Sequence, residues 1–116
     1  MTTDGPKGSA QVEKILEKLA STGVAWLMGR HIEPVVKGSV WLADDGAVAA
    51  IRARSVRETG PTEQEITLEG KMWRVFTAHF GDGWVLGAVV EPELSPTVMR
   101  TRMEKAAAVL AQAVGG

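Results

Sequence analysis

The chain has 116 residues and no cysteine, with 45% hydrophobic residues, 23% charged residues and a formal net charge of −1. This length and mix imply one globular domain and exclude an intrinsically disordered chain, a disulfide framework and a thiolate metal site. A charge near zero gives no general attraction to nucleic acid or acidic lipid, and no apolar run reaches the roughly 18 residues that span a bilayer.

Residues 1–8, rich in Gly, Thr and Pro, read as a flexible N-terminal tail, and residues 9–116 as a single domain. The tail has no apolar signal-peptide core, so a cytoplasmic location without membrane insertion is expected. Ser9 suits the cap of a first helix over residues 10–21. Val12, Ile15, Leu16 and Leu19 share one face of it, with Glu13, Lys14, Glu17 and Lys18 on the other. Gly23 suits the left-handed position after that helix. Residues 24–28 are short and apolar on both faces, a pattern that fits a strand or continued helix. Residues 31–36, with Pro34, read as irregular.

Asp44-Asp45-Gly46 lies between the apolar runs 38–43 and 47–52. An Asp-Gly pair in that setting is a hairpin signal, because glycine takes a positive φ without a Cβ penalty. Residues 52–64 are polar, contain Gly60-Pro61 and read as a loop. Residues 65–68 and 72–80 read as strands joined around Glu69-Gly70-Lys71, and Gly81-Asp82-Gly83 turns into a last strand over residues 83–90. Ser95 as N-cap and Pro96 at the first helical position then open a helix over residues 97–114. Its apolar stripe is Met99, Met103, Ala106, Leu110 and Ala113.

The expected architecture is α/β (α+β). It has a central, mostly antiparallel sheet of five or six strands, with the N- and C-terminal helices on one face. Alternation in the last two strands gives apolar side chains on both sheet faces: Met72, Phe76 and Phe80 oppose Trp73 and Val75. Two helices cover one face. The other needs cover from loops, a second subunit or a partner, which is the residue-level argument for a binding or oligomeric protein.

Catalytic signals are weak. His31 and His79 have no metal-ligand spacing, and no phosphate-loop or nucleophile-elbow motif occurs. No catalytic residue, metal or cofactor is assigned. Asp44 and Asp45 read as solvated turn residues, and Glu91 and Glu93 as charges favouring the positive end of the last helix. Arg52, Arg54 and Arg57 form a local basic cluster. Arg52 and Arg54 would share a strand face and offer a charged contact to an acidic partner. Trp26, Trp41, Trp73 and Trp84 all fall in expected strands, as core residues first, with one or two available as interface anchors.

The C-terminal unit resembles the end of a Roadblock domain, the dynein-light-chain family with bacterial and archaeal relatives. The resemblance rests on the apolar strand Trp84–Val90, the break Glu91-Pro92-Glu93-Leu94-Ser95 and the helix carrying Arg100, Arg102 and Lys105. The expected hairpin over residues 40–49 is similar to the family's first hairpin. The family's middle helix looks shortened or missing, and residues 24–36 look extra. The resemblance implies a non-enzymatic homodimer that regulates or scaffolds a Ras-like small GTPase, or that binds another Roadblock protein. Its bacterial members of the MglB and MglC kind act in motility and polarity. Sheet-edge pairing through residues 65–69 is one physical route to assembly. The protein-interface candidates are Arg52, Arg54, Ile66, Leu68 and Trp73. A profilin-like module binding actin or proline-rich peptides is the alternative. A small enzyme with a pocket between sheet and helices is a third reading.

Overall fold

The computed structural model describes residues 9–29, 32–57 and 62–115. The expected tail at 1–8, His31 and Gly60-Pro61 lie outside the described residues. In chain order the elements are α1 (Ser9–Ala20), β1 (Val24–Gly29), β2 (Ile32–Gly38), α2 (Val40–Asp44), α3 (Gly46–Ser55), β3 (Thr62–Leu68), β4 (Lys71–Phe80), β5 (Trp84–Val90) and α4 (Pro96–Gly115). The strands form one five-stranded sheet in the order β2-β1-β5-β4-β3, and every neighbouring pair is antiparallel.

Helices α1 and α4 lie on one face, as expected. Val12, Leu16 and Leu19 of α1 and Met99, Met103 and Leu110 of α4 are buried with Leu27, Phe76, Leu86 and Val90 of the sheet. Helix α4 starts where its boundary residues direct: the Ser95 hydroxyl accepts from the Val98 amide at 3.5 Å, and Pro96 is the first helical residue. Helix α1 ends with Ser21, not Gly23, in the left-handed region, at φ 51°. Gly23 is set by close approach: a Cβ there would lie 1.8 Å from the Val89 carbonyl oxygen.

Residues 24–29 are a strand, and Pro34 does not prevent residues 32–38 from forming another. Strand β2 is at the sheet edge, where a residue without an N–H is tolerated. The register between β1 and β2 also slips between Leu27 and Gly29.

The expected hairpin at Asp45-Gly46 does not form. Residues 40–55 are instead two short helices. Asp45 is the N-cap of α3, and its Oδ1 accepts from the Ala47 amide at 2.9 Å and the Val48 amide at 3.4 Å. The residues that follow decide between the two uses of Asp-Gly. Ala47, Ala49, Ala50 and Ala53 favour helix, and the buried positions Val48, Ile51 and Ser55 recur at helical spacing. Asp45→Ala is expected to lower the stability of the domain by about 1 kcal/mol, read as a lower urea midpoint with unchanged slope.

Of the covers expected for the second sheet face (loops, a second subunit or a partner), these two helices, from a stretch expected to form strands, supply a large part within the chain. Leu42 of α2 and Val48 and Ile51 of α3 are buried against Val24, Trp26, Val75 and Val89. Trp26 has no exposed surface and fills the space over Gly87, where a Cβ would lie 2.2 Å from the indole. The cover is therefore largely internal over β1 and β5.

Candidate protein-interaction surface

Strand β3 forms the other edge of the sheet, and among the described residues its outer side has no strand partner. Its pairing with β4 places Ile66 opposite Trp73 and Leu68 opposite Lys71. Cross-strand partners share a face, so these four side chains stand on the α2–α3 side. The expected candidates Ile66, Leu68 and Trp73 are thus brought together. Leu68 and Trp73 are buried within the chain, and Ile66 is half-buried.

Helix α2 completes the patch with a residue the sequence reading placed elsewhere. Trp41 lies on this helix, not in a strand, and is 45% exposed beside Val40 at 73%. Its ring meets Trp73 edge-on, with centroids 6.1 Å apart and planes at 71°, a favourable aromatic geometry. Lys71 adds a cation 4.7 Å from the Trp73 ring centroid. Its ammonium also lies 2.9 Å from Glu91 Oε1. The hydrogen bond from Lys71, with one from Thr22, holds the Glu91 carboxyl below its ordinary pKa. Glu91 therefore serves this contact and not the start of α4 alone.

Arg52 and Arg54 do not share a strand face, because both are on α3. Two positions apart on a helix they point in different directions. Arg52 is half-buried, and its Nη1 donates to the Ala43 carbonyl at 3.4 Å, tying α3 to the end of α2. Arg54 is exposed. His79 has a structural contact: its Nε2 lies 2.8 Å from the Ser55 carbonyl oxygen, joining β4 to the end of α3. Among the described residues, no group of three His, Asp or Glu side chains is placed to hold a metal ion. No described helix is long and apolar enough to cross a membrane.

The structure is similar to that of Myxococcus xanthus MglB, with a TM-score of 0.69 over 88% of this chain and 93% of that chain, at 18% sequence identity. The chain has a Roadblock-type fold. No protein-family model and no curated protein sequence matches it. The sequence resemblance to a Roadblock domain is borne out at the level of fold, although two of its assignments move. The first hairpin of the chain is β1–β2, over residues 24–38, and not residues 40–49. The short middle helix is α3, ten residues long, and it begins where a hairpin turn was expected. Nothing in the 40–49 run marked Trp41 as surface: a helix of five residues is too short for its periodicity to show.

Proposed function

We propose that this chain is a non-enzymatic regulatory or scaffold protein that forms a homodimer. It then binds a Ras-like small GTPase or another Roadblock protein, in control of polarity or motility. The observation that carries the reading is the joint surface of the open β3 edge and the Trp41–Trp73–Ile66 patch. A free strand edge offers backbone hydrogen bonds to a second chain, and exposed aromatic surface beside it offers the desolvated contact that anchors an interface. The Roadblock-type fold supports the choice of partner, because the resemblance of the chain to that family implies small-GTPase regulation. The soluble compartment expected for it is the cytoplasm.

Light scattering at micromolar concentration tests the assembly, with a mass of two chains as the expected result. A strictly monomeric chain would remove the dimer. Capture from the source cell tests the partner: recovery of a small GTPase or of a second Roadblock protein is expected. Recovery of actin or proline-rich proteins in their place would establish the profilin-like alternative.

A further inference from the structure

The opposite face of the molecule carries a second feature. Helices α1 and α4 pack side by side, and a groove of about 720 Å³ opens between them. Ile15, Ala106 and Val109 give it an apolar floor, and Lys18, Arg102 and Lys105 stand around it. No carboxylate lines it.

The charges on both helices are sorted by side. On α1, Glu13 turns to the sheet edge and pairs with Lys37 of β2 at 3.1 Å, and Glu17 follows it one turn later. On α4, Arg100 turns to the other sheet edge and bonds Glu63 of β3 at 2.6 Å, with Glu104 one turn later. The flanks that face each other across the groove therefore carry the cations. Among the described residues, no ion pair engages Lys18, Arg102 or Lys105. The same flank of α4 carries Val98 and Val109, which are 43% and 39% exposed. Val98, Arg102, Lys105 and Val109 follow at spacings of four, three and four, one continuous stripe on a helix. This is apolar surface and unpaired positive charge kept together on a long, well-packed helix.

We infer that the groove between α1 and α4 binds an acidic amphipathic helix supplied by a partner protein. Apolar side chains of that helix seat on Ile15, Ala106 and Val109, and its carboxylates meet Lys18, Arg102 and Lys105. The twelve residues of α1 give a wall of roughly 18 Å, which matches about three turns of bound helix. A second copy of this chain is a poor occupant, because it would bring the same cations to the same place. Nucleic acid needs a longer basic track than three side chains on a chain of net charge −1. The groove is on the face away from β3 and α2, so its occupation does not depend on the dimer proposed above.

The test uses the full chain and a fluorescein-labelled helical peptide of about 14 residues, with leucine at positions i, i+3, i+4 and i+7 and glutamate at the others. A control peptide has lysine for glutamate. The glutamate peptide is expected to bind at least about tenfold tighter than the lysine peptide, and R102E/K105E to weaken it about tenfold or more. Val109→Asp is expected to do the same without added positive-charge loss. All these positions are exposed enough for the variants to keep native circular dichroism, and Lys18→Glu replaces any variant that does not. Amide shift changes on binding are expected along α1 and α4. Equal affinity for the two peptides, an unchanged affinity in R102E/K105E, or shifts confined to β3 and α2 would overturn the proposal. So would capture by anionic phosphatidylglycerol vesicles with no binding of the glutamate peptide.

Discussion

Gly87→Ala is expected to destabilise the domain by about 3 kcal/mol, a large part of the stability of a small protein. The added Cβ falls 2.2 Å from the Trp26 indole, and that ring has no exposed surface into which it can retreat. Trp26→Ala is expected to cost about 3–5 kcal/mol from the opposite cause, a cavity beneath α2 and α3. The pair should therefore be strongly non-additive. In Trp26→Ala/Gly87→Ala the clash is absent, because the indole atoms that the new methyl group meets are gone. The double variant should be more stable than the sum of its singles by about 1–3 kcal/mol. Urea unfolding of the three variants measures this. Simple additivity would mean that Gly87 is not shaped by Trp26.

Leu68→Asp and Ile66→Asp are expected to separate folding from assembly. The two residues stand on the same face of β3, and a sequence reading treats them alike. Leu68 is buried with Trp73 in the α2–α3 core. A carboxylate there is left without a partner, and the loss should be at least about 3 kcal/mol. The expected result is a largely unfolded chain by circular dichroism. Ile66 is half-buried, at the margin of that core. Ile66→Asp should keep the native spectrum while raising the dimer dissociation constant by about tenfold or more. Light scattering against concentration reads the second effect. A dimer of unchanged affinity in Ile66→Asp would take this strand out of the interface.

The difference between these residues shows where the sequence stops being informative. The C-terminal half was legible because its signals are local. Two-residue alternation marks β4 and β5, turn residues separate them, and Ser95-Pro96 opens α4. The same alternation assigned each side chain to its sheet face. It could not say how far each face is covered, because cover comes from α2 and α3. Those helices were hidden by Asp45-Gly46, a pair that serves a hairpin and a helix N-cap equally well. A strand reading of residues 40–52 makes Trp41 a core residue first and puts Arg52 and Arg54 on one face. Pro34 misled in the other direction, since a proline that disrupts a central strand is harmless at an edge. Of the candidate surface, Ile66, Leu68 and Trp73 were proposed from strand pattern. Trp41 required the fold.

The unequal edges of the sheet bear on stoichiometry. Strand β2 closes its side with Pro34 and a register slip against β1, features that discourage an incoming strand. Among the described residues, strand β3 has no strand on its outer side. A sheet with two receptive margins adds subunits without end and becomes a fibre. A sheet with one receptive margin is satisfied by a single two-fold contact. For the homodimer proposed above, growth by strand addition would then terminate at a pair of chains.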